Sequence, residues 1–328
     1  MPAIADLSFD SPFLLAPMAG VTDSAFRSLC RRMGAAGTYT EMISAKALLF
    51  GDKKTAALLE IHPEERPCGV QIFGSEPEIC AQGAQIALEL SHADFLDINM
   101  GCPAPKIVNN GEGSALMQDL PRAAKIIAAV RQAIDVPLTV KFRKGYEAED
   151  DNCAEFGRMA ESCGADALCV HGRTRRQMYG GQSDLQAVLR VKEAVNVPVI
   201  ASGDIFGPEQ ALAALRGGAD FAAAARGAQG NPFLFSQLLA AWRGEPLPAP
   251  PGLAGVIAAM DEQLTLMCRR KGEARAMPEA RKHILWYLKG IRGAKPFKRK
   301  FSAVCTLAEF RALCGEMLER LGDQAAVG

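Results

Sequence analysis

Amide, thiol, ammonium and imidazole groups stand in short runs that each close an apolar stretch. They are Gln71, the run Asn99-Met100-Gly101-Cys102-Pro103, Lys141 with Arg143, and His171. An amide, a lysine and a histidine brought to one spot suit a flat heterocycle, whose edge needs a few placed polar partners. Two later runs, Ser202-Gly203-Asp204 and Ala225-Arg226-Gly227, put glycine in turns where backbone N–H groups can face a phosphate. Pro17-Met18-Ala19 follows the first apolar stretch and belongs to the same set. Each group has a plain structural alternative. Cys102 is one of ten cysteines that could simply be buried, Lys141 could form an ion pair at a rim, and His171 could be a satisfied rim histidine. Arg173, Arg175 and Arg176, which follow His171, read equally as a solvated loop or as phosphate contacts.

The elements that must position these groups are short apolar runs at residues 13–16, 38–41, 69–72, 95–99, 138–142, 167–171, 199–202 and 221–224. Amphipathic segments at 76–90, 121–133, 153–163, 185–194 and 208–216 lie between them. Near-continuous apolar strands alternating with helices predict a parallel sheet covered on both faces. Eight such units in about 230 residues fit a closed (β/α)8 TIM barrel, whose chemistry sits at the C-terminal ends of its strands. An open doubly wound sheet would carry a glycine fingerprint after its first strand. Here Pro17-Met18-Ala19-Gly20 stands in that place, and no GxGxxG occurs. The late glycine turns and the convergent polar groups together read as a pocket for flavin mononucleotide (FMN).

The alternation stops near residue 235, and Pro246, Pro248, Pro250, Pro251 and Gly252 mark a linker. Only helical patterns follow, clearest at 253–270, 278–289 and 307–321. The division expected is a catalytic barrel over 1–243 and a small helical domain over 244–328. Trp286 and Tyr287 are expected to serve packing and not base-stacking. The chain's net charge is zero, yet residues 269–300 hold twelve basic residues against Glu273 and Glu279 alone. A one-sided surplus of this density predicts a polyanion-binding module on an otherwise acidic body. The ten cysteines form no CxxC pair, which predicts reduced thiols and no metal site. With no apolar run of membrane-spanning length and no signal-like N-terminus, the expectation is a cytoplasmic protein without a membrane partner.

Asp97-Ile-Asn-Met-Gly-Cys-Pro103 with Lys106 and Gly113-Ser-Ala-Leu116 resembles the signature of the tRNA-dihydrouridine synthases. Ala16-Pro-Met-Ala-Gly-Val-Thr-Asp23, His171-Gly-Arg-Thr-Arg175 and Arg281-Lys-His-Ile-Leu-Trp-Tyr-Leu288 resemble the same family. The chain departs from it at Ser202-Gly203-Asp204, where the family commonly has Asn-Gly-Asp, and at Ala225-Arg226, where it commonly has Gly-Arg. The resemblance implies reduction of the C5=C6 bond of tRNA uridines, with FMN as cofactor and NADPH (or NADH) as transient reductant. Uracil C5=C6 is conjugated to the C4 carbonyl, so addition at C6 leaves charge toward C5 and O4. Cys102, with a thiol ordinarily protonated at pH 7, would then protonate C5 as general acid. Lys141 would offset charge on the flavin ring, with Pro17, Met18, Ala19, Gln71, His171, Ser202, Gly203, Asp204, Ala225, Arg226 and Gly227 completing its pocket. Asn99 and Arg143 would hold the uracil edge. Arg173, Arg175, Arg176, Arg281, Lys282, Lys289 and Arg292 would meet tRNA, and the expected state is a monomer. Two alternatives stay open on sequence alone. One is an FMN barrel acting on a free small molecule, of dihydroorotate-dehydrogenase or old-yellow-enzyme type; the other is a non-catalytic RNA-binding barrel.

Overall fold

The apolar runs form eight parallel strands: β1 (Phe13–Leu15), β2 (Thr38–Ser44), β3 (Cys68–Phe73), β4 (Phe95–Met100), β5 (Leu138–Gly145), β6 (Ala167–Thr174), β7 (Val199–Ser202) and β8 (Phe221–Ala224). The structure is a computed structural model and describes residues 1–322. Each strand pairs with the next in chain order from β2 to β8, and β8 pairs with β1 through Ala222↔Phe13 and Ala224↔Leu15. The seam between β1 and β2 closes through Leu14↔Gly37, with the Leu15 N–H on Gly37 O at 2.9 Å and the Ala36 N–H on Phe13 O at 2.7 Å. The expected (β/α)8 TIM barrel with helices after it is therefore the fold found.

Period-two alternation sorts each strand into an outward and an inward row. On β4, Leu96, Ile98 and Met100 join the outer layer under the helices, whereas Phe95 belongs to the barrel interior. Counting by two from Phe95 gives Asp97 and Asn99, both buried. The same count gives Thr139, Lys141 and Arg143 on β5, and Ala167, Cys169, His171 and Arg173 on β6. The inward rows thus run from an apolar floor to polar groups at the mouth. The floor is sealed by Phe9, whose ring meets Phe221 at 5.4 Å and Phe95 at 6.3 Å, both edge-on. Gly69 belongs to that floor by necessity, since a Cβ there would come within 2.2 Å of the Phe95 ring.

Helices α1 (Ser24–Arg32), α2 (Pro77–Ser91), α3 (Leu120–Ala133), α4 (Cys153–Ser162), α5 (Leu185–Ala194), α6 (Pro208–Arg216) and α7 (Leu234–Arg243) surround the barrel. Gly244, at φ +71°, ends α7, and residues 244–250 are exposed. Helices α8 (Leu253–Lys271), α9 (Glu273–Tyr287), α10 (Lys295–Phe301) and α11 (Leu307–Leu321) then pack around Met260, Leu264, Ile284, Phe301 and Phe310. Ala25 and Leu29 of α1 share this core, so the helical unit docks on the barrel through α1. Tyr287 is buried and donates to Gln263 Oε1 at 2.8 Å, and Trp286 packs against the layer between β1, β8 and α7. α9 begins five residues before the expected Pro278, because burial of Ala276 and Met277 pulls the preceding turn into the helix.

Polar contacts complete the docking. Arg270 of α8 donates to Ser24 Oγ at 2.7 Å and Ser28 Oγ at 3.0 Å, and it pairs with Glu64 and with fully buried Glu65. Lys271 bridges Asp23 at 3.1 Å and Glu279 at 2.7 Å.

Candidate active site

A cleft of about 380 Å³ opens at the C-terminal mouth of the barrel, within the size range of small-molecule sites. Its walls include Pro17, Met18, Ala19, Gln71, Lys141, His171, Ser202, Gly203, Asp204, Ala225, Arg226 and Gly227, together with Asn99, Cys102 and Arg143. Strand ends distributed over 210 residues of sequence thus meet in one cavity. Met42, Tyr179, Phe206 and Gln229 also line it, unanticipated from the sequence because they lie in irregular or extended segments without a motif.

Cys102 sits in a loop held from three sides. Its own N–H and that of Gly101 donate to Asn99 Oδ1 at 2.9 and 3.1 Å. Its carbonyl accepts from the Ser114 N–H at 3.1 Å and the Ser114 hydroxyl at 2.9 Å. Gly113, at φ +58°, lets that second segment approach, since a Cβ would lie 2.8 Å from Cys102 O. Arg143 donates from Nε to Gly101 O at 2.7 Å and from Nη1 to Thr174 O at 3.0 Å and Met178 O at 2.9 Å. Burial lowers its pKa to about 10, still far above neutrality, so it remains a cation.

Below the loop, Gln71 donates to Asp97 Oδ2 at 2.6 Å, and Asn99 Nδ2 donates to Gln71 Oε1 at 2.9 Å. Thr139 donates to the other Asp97 oxygen. Burial raises Asp97 to about 6 against these hydrogen bonds and the charge of Lys141. The Lys141 ammonium makes no hydrogen bond or ion pair among the described residues, while its backbone, in β5, pairs with β4 and β6. His171 is held well below the ordinary histidine range by burial and then by the charges of Lys141, Arg143, Arg173 and Arg226, so it is a neutral imidazole.

At the β7 and β8 ends, Asp204 receives both Nη atoms of Arg173 at 2.7 and 2.8 Å, the Ser183 N–H at 2.8 Å and Arg226 Nη2 at 3.0 Å. Burial alone would raise its pKa, but these partners hold it below the usual carboxylate value. Arg226 lies between the Tyr179 and Phe206 rings, 5.1 and 5.5 Å from their centroids. The cleft wall therefore carries Lys141, Arg143 and Arg226 against Asp204 alone, a positive surplus suited to an anionic ligand.

The arginines after His171 divide. Pairing of Gly145 with Thr174 extends β6 beyond the expected end at 171. Arg173 therefore points inward and is buried. Its Nε and Nη2 also bind Gly180 O at 2.9 Å and Gly181 O at 2.6 Å. It braces Asp204 and His171 from a buried strand position, not from the loop expected after residue 171. Arg175 stacks over Tyr146 at 5.3 Å, and Arg176 pairs with Glu147 at 2.7 Å on the surface.

The basic segment divides as well. Arg270 and Lys271 are spent on docking, Arg275 pairs with Glu279, and Lys300 pairs with Glu316. Arg281 donates to Val304 O at 2.9 Å and lies 3.3 Å from Cys305 Sγ, so it braces α9 against the turn before α11. Lys282 lines a second cleft with Glu41 and Lys271, between the barrel and the helical unit. Lys289 and Arg292 are exposed, as are Arg269, Lys295 and Arg299. These five have no ion pair among the described residues. No group of three or more metal-ligating side chains occurs among the described residues, and no helix there is long and apolar enough to cross a membrane.

Known proteins are similar in sequence to this chain. The dihydrouridine synthase family model matches residues 14–322. A tRNA-dihydrouridine synthase B of Pseudomonas aeruginosa is 41% identical over 291 residues, covering 88% of this chain and 87% of the relative. Its namesake in Pseudomonas putida is 39% identical over 322 residues, covering 96% and 95%. That of Shewanella oneidensis is 41% identical over 297 residues, covering 90% and 92%. With this cleft, this fold and these relatives, the chain belongs to the dihydrouridine synthase family.

Proposed function

We propose that the protein reduces the C5=C6 bond of tRNA uridines to dihydrouridine, with FMN in the mouth cleft and NADPH as reductant. The observation that carries this reading is the convergence of Cys102, Lys141 and His171 on one positively biased cleft at the barrel mouth. The fit to FMN rests on the donor set. The Lys141 ammonium has no hydrogen bond or ion pair among the described residues, Gly203 and Gly227 bring backbone to the cleft at the β7 and β8 ends where a Cβ would collide with Ser183 and with Ile205 O, and Arg226 adds charge where a phosphate would sit. Ser202 and Ala225, where the family commonly has other residues, leave this backbone cradle in place. Pro17, Met18 and Ala19 would wall the ring, with Gln71, Lys141 and His171 at its polar edge.

When bound, reduced FMN supplies the two electrons and the hydrogen that saturate uracil C6. Cys102 supplies the other hydrogen. Electron density displaced from the C5=C6 bond gathers at C5 and O4, the thiol proton goes to C5, and the thiolate regains a proton from water. Arg143 and Asn99 act mainly by holding the loop that carries Cys102, since most of their donors and acceptors are engaged there. The cation Lys141 stabilises negative charge beside it in a cavity where water cannot screen it well. Residues 1–243 would supply the chemistry, and 244–328 would supply a wider electrostatic footprint through Lys289, Arg292 and their unpaired neighbours. Nucleoside mass spectrometry of tRNA from cells with and without the protein tests the proposal. Identical dihydrouridine content in both would reject it.

A further inference from the structure

We propose that Asp97, Gln71 and Asn99 form a hydrogen-bond chain of fixed polarity that positions Cys102, with the Asp97 carboxylate locking its buried end. The proposal deepens the reading of this cleft as a uridine-reducing site and rests on it.

The three side chains come from adjacent strands. Gln71 stands opposite Asp97 in the β3–β4 register, and Asp97 stands opposite Thr139 in the β4–β5 register. A side-chain amide fits its cavity equally well with oxygen and nitrogen exchanged, so shape alone does not orient Gln71 or Asn99; their partners do. An ionised carboxylate accepts and never donates. Facing Asp97, Gln71 must therefore present Nε2, at 2.6 Å, and turn Oε1 to Asn99. Asn99 must then present Nδ2 to Gln71, at 2.9 Å, and turn Oδ1 to the loop. There Oδ1 meets the N–H groups of Gly101 and Cys102 at 3.1 and 2.9 Å. Every link is a donor against an acceptor, and the chain is self-consistent in this direction only.

Asp97 is fully buried, and among the described residues no cation hydrogen-bonds to it, although the charge of Lys141 acts on it. A buried carboxylate without a paired cation is costly. A neutral amide at position 97 would fit the same space, but it could present either its oxygen or its nitrogen to Gln71, so only the Gly101 and Cys102 N–H groups at the loop end would then orient the chain. The carboxylate fixes the buried end of the chain as the loop N–H groups fix the other, three links away from the reacting thiol.

Two charge-conserving double-mutant cycles test this on the FMN-loaded enzyme, with unmodified tRNA transcript and NADPH. Asn99→Asp sets a carboxylate against Gln71 Oε1 and breaks the chain. Combining it with Asp97→Asn reverses the chain: the new amide at position 97 donates to Gln71 Oε1, and Gln71 Nε2 donates to the new carboxylate at position 99. That carboxylate still accepts from the loop. We expect Asn99→Asp to lower kcat by roughly 10²-fold, as for a misplacement of about 1 Å, with KM for RNA little changed. The double variant should recover at least about tenfold of that loss. Gln71→Glu with Asp97→Asn is the second cycle, in which the carboxylate moves to position 71 and Asn99 keeps its orientation. Iodoacetamide labelling of Cys102, resolved by peptide mass spectrometry, follows the loop independently of turnover. Its rate should shift in Asn99→Asp and in Gln71→Glu and return in each double. If a single variant does not fold, a folded and active double variant supports the chain in the same way. Additive or worse effects in both cycles would overturn it, as they would if Asn99 served only to touch the substrate. Should the wild type form no dihydrouridine, the proposed function falls while the labelling cycles still decide the chain.

Discussion

Replacing Lys289, Arg292, Lys295 and Arg299 with alanine removes four exposed charges that have no ion pair among the described residues. If each meets an RNA phosphate, each loss shallows the log–log salt slope of tRNA binding by roughly 0.7–0.9. Four contacts then account for about 3 units of slope. Between about 50 and 200 mM salt, the wild type should lose roughly 60-fold more affinity than the variant. Arg281 stays in place because its guanidinium braces α9 through Val304 O. The control is Arg270→Ala, which removes an equal charge per site from the same basic segment but from a buried docking contact. It should cost thermal stability and leave the slope nearly unchanged. Filter binding or fluorescence anisotropy across a salt series, with flavin absorbance and melting temperature on the same preparation, measures all of these. An unchanged slope in the quadruple variant, or an equal fall in Arg270→Ala, would refute the division of the basic segment into docking and RNA-facing groups.

Cys102→Ala should keep flavin and tRNA binding yet slow dihydrouridine formation by about 10²–10⁴, the usual worth of a general acid; a near-normal single-turnover rate rejects the assignment. Arg270→Ala leaves fully buried Glu65 short of a cationic partner, so unfolding should become easier by up to about 3–5 kcal/mol; Arg27, which also pairs with Glu65 at 2.7 Å, places the effect toward the lower end. Denaturant titration reads it, and an unchanged midpoint would contradict the docking role. His283 is buried and accepts from Gln263, with its pKa lowered to about 4 by burial, against the attraction of Asp23. The unfolded chain takes up a proton as pH falls from about 6.5 while the folded one resists until about 4. Stability is therefore lost as pH drops through that window, by up to about 1.4 kcal/mol per pH unit for this group. His171 acts in the same direction, and Asp97, raised to about 6, acts in the opposite one. The difference between wild type and His283→Gln isolates His283, and parallel stability–pH curves would count against it.

The barrel and its mouth were legible in the sequence because their signals are local. An apolar run bounded by turn residues becomes a strand in almost any parallel context, and chemistry in a closed barrel falls at strand ends. Twelve positions spaced from Pro17 to Gly227 could therefore be assigned to one cavity before any fold was known, and they do line one cavity. Even the inward row of β4, from Phe95 through Asp97 to Asn99, follows from a count of two.

What local spacing does not contain is the partner that each polar group finds. Arg173 reads as a loop cation in sequence, yet pairing of Gly145 with Thr174 carries β6 past it, and Asp204 takes both its Nη atoms. Asn99 reads as a substrate contact, yet its oxygen is bound to the Cys102 loop and its nitrogen to Gln71. The basic residues of 269–300 look alike in sequence, yet α1 places acidic and hydroxyl groups against Arg270 and Lys271 and leaves Lys289 and Arg292 in water. Hydrophobic periodicity is set along the chain, one residue after the next. Hydrogen bonds and ion pairs link residues tens to hundreds of positions apart, so only the closed barrel and its docked helices decide which side chains are spent on structure and which remain for chemistry.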